Sequence, residues 1–150
     1  MPVFEIKLKM PELPKTIAAF EAEPALRFEM INNTLRECGD ILEPAIKAET
    51  PVRTGKLQKS THHRIYSSGG DQVLKITQNA KTKKGVSYGF FVREGVKPHQ
   101  RISSAGKVFT HPGTKPNHYP QRAYEKVSGE IDNTVSKINQ MTAERLAGGK

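Results

Sequence analysis

Thr50-Pro-Val-Arg-Thr-Gly-Lys-Leu-Gln-Lys-Ser60 stands where a helical pattern of apolar residues stops and an alternating one begins. Thr50 precedes a proline, whose ring disfavours the α region for the residue before it, so the upstream helix ends here. Gly55 permits a tight reversal and Leu57 returns the chain to the core. The stretch therefore reads as a structural hinge made by Thr50, Pro51, Thr54, Gly55, Leu57 and Ser60. Gly55-Lys56 has the ending of a phosphate-binding loop. That motif needs a glycine where Thr50 stands and a hydroxyl residue where Leu57 stands, so the reading is rejected.

Upstream of the hinge, Phe28, Ile31, Leu35, Cys38, Leu42 and Ala45 recur at alternating spacings of three and four, the stripe of an amphipathic helix opened by Pro24. Gly39 and Pro44 lie inside it and predict a kink or an early stop near Asp40. Residues 3–10 alternate apolar and charged, with Phe4, Ile6, Leu8 and Met10 on one face, and Pro11 and Pro14 end this strand. Downstream, residues 60–66 and 72–78 read as two strands joined by Ser67-Ser-Gly-Gly-Asp71. Residues 79–85 form a turn, and 86–92 a third strand of an antiparallel meander.

Residues 94–117 are irregular and basic, with a short hairpin around Ser104-Ala-Gly106 flanked by Ile102 and Val108-Phe109. Such a loop in a compact domain binds something or lacks fixed structure. Pro120 opens a second helix with Ala123, Val127, Ile131, Val135, Ile138 and Thr142 or Leu146 on one stripe, ended by Gly148-Gly149. The expected class is α+β: two amphipathic helices packed on a small antiparallel β-sheet, with a long irregular basic loop. One domain is expected over residues 1–150, with a strand arm at 1–14, a helix at 24–49, meander and loop at 57–111, and a C-terminal helix at 120–147.

Charge is segregated along the chain. From Pro51 to Arg122 fourteen Lys or Arg face two acids, Asp71 and Glu94, a net +12, while the remainder nets −3. The middle of the protein therefore carries a positive field that attracts phosphates or an acidic partner over a Debye length of about 8 Å. Lys81, Lys83 and Lys84, in one turn, are the candidate DNA-facing residues. No recognition-helix or stacking pattern accompanies them, so the segment reads either as a weak attraction to phosphate, indifferent to sequence, or as a merely solvated basic face.

Catalytic patterns do not assemble. Of the five histidines, His62 and His63 point to opposite sides of a strand, and His99, His111 and His118 lie in a loop with no Cys or carboxylate at ligand spacing. The two acids of the basic segment are far apart, so paired-acid catalysis is not expected. The single cysteine, Cys38, sits in the helical stripe as a small buried hydrophobe, consistent with a reducing cytoplasm. No apolar run approaches the roughly 18 residues that span a bilayer. Neither an enzyme, a cofactor, a metal nor a membrane is expected.

Two further segments, Tyr88-Gly-Phe-Phe-Val-Arg-Glu-Gly95 and His111-Pro-Gly-Thr-Lys-Pro-Asn-His-Tyr-Pro-Gln-Arg-Ala-Tyr124, follow the hinge in order. Together the three resemble the head-tail joining family of long-tailed bacteriophages, which includes minor tail, neck and tail-completion proteins. Pro51, Thr54, Gly55, Leu57 and Ser60 match its hinge pattern, and Tyr88, Val92, Glu94 and Gly95 its second element. Arg53 stands where many members carry an acid, and His118-Tyr119 replaces a usual Pro-Phe.

The resemblance implies a non-enzymatic virion part, assembled in the host cytoplasm. In that role it forms a homo-oligomeric ring at the head-tail junction around the DNA channel, touching neighbouring neck or tail proteins and, without sequence preference, double-stranded DNA. Glu94, Gly95, His111, Pro112, Gly113, Pro116 and Tyr119 are the candidate assembly interface. The competing expectation is a small host DNA-associated or toxin-like basic binding protein.

Overall fold

The first helix runs from Pro24 to Glu49 (α1) without a break, through both Gly39 and Pro44. The computed structural model describes residues 4–5, 24–68 and 70–148. The early stop expected near Asp40 does not occur. Asp40 and Pro44 are both exposed, on a part of the helix where a carbonyl that loses its partner to the proline can be solvated. Gly39 has a different cause: a Cβ there would stand 2.6 Å from Cδ2 of His63, so only glycine lets the sheet come this close to the helix.

That sheet has the order β1-β3-β2, from β1 (Phe4–Glu5), β2 (Thr61–Ser68) and β3 (Asp71–Gln78). β2 and β3 form an antiparallel hairpin in register from Thr61↔Gln78 to Ser68↔Asp71. Period two then puts Thr61, His63 and Ile65 on one face with Gln78, Ile76 and Leu74, and this face meets α1. β1 adds a third antiparallel strand through Phe4↔Ile76 and Glu5↔Lys75. Residues 6–10 of the N-terminal strand expected from sequence lie outside the described residues.

The strand expected over 86–92 is not formed. Gly89–Glu94 is instead a short helix, α3, after an isolated bridge between Lys81 and Ser87. A four-residue apolar run carries no period of its own, so surroundings decide its form. Here Gly89 passes so near Leu57 that a Cβ would lie 3.0 Å from its Cδ1, and Val92 packs against the core while Phe90 and Phe91 stay exposed. A one-turn helix, α2 (Lys56–Lys59), carries Leu57. Within 94–117, the irregular part of the sequence, a second sheet pairs β4 (His99–Ile102) with β5 (Val108–His111), and α4 (Tyr119–Gly148) closes the described chain.

The core joins Leu35, Cys38, Leu42 and Ile46 of α1 to Leu74 and Ile76 of β3 and to Tyr119, Ala123 and Ile131 of α4. α1 carries the sheet on one flank and α4 along another. The helices are antiparallel: Glu49 at the end of α1 meets Lys126 (2.5 Å) and Arg122 (3.4 Å) near the start of α4, while Met30 meets Thr142. Burial, then the charge of Glu37, raises the Cys38 thiol to about 11, so this cysteine is an unreactive packing group.

One ionised group is built into the contact between α1 and the sheet. Glu43 accepts from the backbone N–H (2.9 Å) and Nδ1 (2.7 Å) of His63, and its other oxygen takes Lys47 Nζ at 2.6 Å. Burial alone would raise this carboxyl, but the bonds from Lys47 and His63 outweigh it and hold the group at about 2, below its ordinary 4.5. A carboxylate whose folded pKa is depressed contributes stability that is full above the unfolded value and is lost as pH falls toward the folded one. Denaturant midpoints should therefore decline between pH 4.5 and about 2, and Glu43→Gln should flatten that portion of the profile. An unchanged slope in the Gln variant would show that the acid sensitivity has another source.

Candidate functional site

The hinge ends α1 with side-chain caps. Thr50 donates from both its N–H (2.9 Å) and its hydroxyl (2.6 Å) to the carbonyl of Ile46, and Gln58 Nε2 donates to that of Lys47 at 2.9 Å. Two of the carbonyls that a helix end leaves without partners are thereby satisfied. Pro51, Val52, Arg53 and Thr54 pass outside, exposed, and Gly55 turns the chain back at φ 69°. Leu57 is buried, and its carbonyl takes the hydroxyls of Ser60 (2.8 Å) and Thr61 (3.2 Å).

Gln78, at the end of β3, ties this hinge to α4. The Thr50 and Thr61 hydroxyl hydrogens are spent on the Ile46 and Leu57 carbonyls, so these oxygens offer only lone pairs. Both are met by Gln78 Nε2, at 3.3 and 2.9 Å, which leaves Oε1 to accept from the hydroxyl of Tyr119. Burial raises the Tyr119 phenol, opposed by the Arg93 charge and the bond to Gln78, so the hydroxyl remains a donor. Tyr119, an interface candidate from the sequence, is 1% exposed and belongs to the core.

Glu94, Gly95, His111, Pro112, Gly113 and Pro116 gather at the base of the β4–β5 hairpin. Val96 and Thr114 exchange two backbone bonds, at 2.9 and 2.8 Å, and the strands cross without room for side chains at the flanking glycines. A Cβ on Gly95 would stand 2.5 Å from Thr114 O, and one on Gly113 would collide with Val96 O. Asn117 N–H then reaches the carbonyls of Val92 and Arg93, at 3.2 and 3.0 Å, which anchors the base to α3. Above it the rings of His99 and His111 stack with centroids 5.1 Å apart. Glu94 pairs with Arg93 at 2.7 Å, and Pro112 and Pro116 are exposed.

From this base the hairpin stands out uncovered. Opposed pairs place His99, His111, Arg101 and Phe109 on one face and Gln100, Thr110, Ile102 and Val108 on the other. Every one of these residues except His111 is exposed, including Ile102 (74%), Val108 (62%) and Phe109 (47%). Sequence places a hairpin here but does not reveal that both faces lack a covering layer. It also misses Gln78 and Glu43, whose partners in other elements lie 17 to 41 residues away.

Lys81, Lys83 and Lys84 are exposed around a separate turn, closed by Thr82 N–H to Val86 O (2.8 Å) and Gly85 N–H to Thr82 O (2.9 Å). Among the described residues no carboxylate pairs with them. No helix of the described residues is long and apolar enough to cross a membrane.

The sequence model of one protein family, described as "Bacteriophage HK97-gp10, putative tail-component", matches residues 15–104. The chain belongs to this family, which is one of structural tail components and not a known enzyme class. Nothing among curated proteins or solved structures matches it.

At Gly55 nothing lies within 4 Å of an added Cβ, so the backbone conformation alone penalises a side chain. Gly55→Val should lower stability by about 1–3 kcal/mol, whereas Gly55→Asn, which tolerates the left-handed region, should lose less. Denaturant titration of both variants checks the order, and equal midpoints for Val and Gly would contradict it.

Proposed function

We propose that this member of the tail-component family is a structural part of the phage neck or tail-completion complex. In this reading the chain folds as one domain, and copies form a ring at the head-tail junction around the channel through which DNA passes. Family membership supports a phage structural component. The observation that carries the finer reading is the β4–β5 hairpin, an exposed two-stranded arm with Ile102, Val108 and Phe109 in solvent. Two strands alone are marginal in water, and apolar groups on both faces call for a covering partner. Assembly supplies one, and neighbouring copies and neck or tail proteins are its natural sources.

The net +12 of residues 51–122 suits a subunit near DNA, with the exposed Lys81, Lys83 and Lys84 turned to the phosphates. Electron microscopy of purified virions should place the protein in a symmetric ring between head and tail, and its absence from virions would overturn the proposal.

Binding of the isolated protein to duplex DNA should be weak, indifferent to sequence and steeply reduced by salt, because counterion release drives it. Replacing all three lysines with Gln should reduce the slope of log K against log salt by up to about 2.7, at roughly 0.9 per phosphate contact, without unfolding the chain. Tight binding to one preferred sequence in an anisotropy titration would favour a host DNA-binding role instead.

A further inference from the structure

The hairpin and its base are basic as well as apolar. Lys97, Arg101, Lys107 and Lys115 are all exposed, and no Asp or Glu occurs from Gly95 to Tyr124. A contact in which two copies meet hairpin to hairpin would bring eight cations together in a closing interface, with no carboxylate from either segment to offset them. Like charges juxtaposed at an interface repel, so this charge arrangement disfavours the self-complementary two-fold contact. The apolar residues argue equally against a purely phosphate partner, which would leave Ile102, Val108 and Phe109 wet.

The complementary surface is on the same chain. Glu29, Glu37 and Asp40 are exposed on one face of α1, Asp40 at the edge of this face 3.8 Å from His63 Nε2, and among the side chains described there Arg36 is the exposed cation. The cations elsewhere on this helix pair are largely committed: Lys47 is held by Glu43, and Lys126 and Arg122 by Glu49. Arg36 itself bonds to Asn33 Oδ1 at 3.2 Å. Exposed Pro44 adds apolar surface beside the acids.

We infer that the β4–β5 hairpin of one copy docks on the acidic outer face of α1 of the next copy, in a head-to-tail contact. Because the two patches are different parts of the chain, the contact is heterologous: it repeats around an axis and closes a ring when the rotation allows. Arg101 and Lys107 would meet Glu29, Glu37 and Asp40, while Ile102, Val108 and Phe109 leave water. This deepens the ring reading and rests on it, but it has its own test.

Two charge-reversed full-length proteins decide it, one carrying Arg101→Glu and Lys107→Glu, the other Glu29→Lys and Glu37→Lys. All four side chains are exposed and none belongs to the Gln78 or Glu43 networks, and matched circular dichroism melts verify that both variants fold. In sedimentation velocity from micromolar to millimolar protein, wild type should associate, and each variant alone should need at least about tenfold more protein to do so. An equimolar mixture should recover association, since each reversed patch then finds its complement on the other protein. Either variant associating like wild type, a mixture that fails to recover, or a wild type that stays monomeric throughout would overturn the inference. Each of these results leaves the ring reading standing if virions still contain the protein as a ring, whereas absence from virions removes that reading directly.

Discussion

The primary amide of Gln78 is the constraint on which the arrangement depends. It receives one hydrogen bond and gives two, so its polar capacity is used by three elements at once: Thr50 at the end of α1, Thr61 at the start of β2, and Tyr119 at the start of α4. Because both threonine hydroxyls donate to helical carbonyls, the amide has one orientation that satisfies all partners. In a buried setting an unpaired group costs about 1–3 kcal/mol, so any slip of one element against the others is penalised at this point. Leucines and isoleucines of the core supply the larger favourable energy, but they tolerate sliding. The amide specifies where the helices and the sheet stop relative to one another.

From that point the geometry runs outward to the hairpin. Tyr119 fixes the start of α4, and two residues earlier Asn117 closes on the end of α3, whose last carbonyls it caps. Between them the chain returns through the Val96–Thr114 bridge, where the glycines let two strands cross at closer than side-chain distance. The β4–β5 arm is thus held firmly at its root while carrying no covering layer along its length. A fixed root and an uncovered arm suit presentation to another molecule. The segregation of charge between the middle of the chain and its helices supplies a direction for that contact.

Both long helices are legible in the sequence because an apolar residue every three or four positions has few alternatives over 20 or more residues. The β2–β3 hairpin is legible for the matching reason, with period two on either side of a glycine-rich turn. Reading fails where a residue answers to a distant partner. Gly39 and Pro44 look like helix breakers because sequence shows the local cost but neither the approach of His63 nor the solvent beside Asp40. Val86 to Val92 looks like a strand because so short an apolar run has no period. Gln78 looks like an ordinary polar strand end, and Tyr119 like an aromatic of a binding loop, since nothing local reveals that their side chains meet. Of the candidate site, the turn at Ser104-Ala-Gly106 can be placed from sequence, whereas the exposure of Ile102 and Val108 follows only from what fails to pack on them.

A double-mutant cycle between Gln78 and Tyr119, read by urea denaturation, tests the amide junction most directly. Gln78→Leu strands the buried Tyr119 hydroxyl and Tyr119→Phe leaves the Gln78 carbonyl unmet, so each single change should destabilise by roughly 1–3 kcal/mol. The double variant has no stranded pair, and the account predicts that it loses less than the sum of the singles, with a coupling of about 1 kcal/mol or more. Strict additivity of the two substitutions would contradict the claim that this amide joins the hinge to the C-terminal helix.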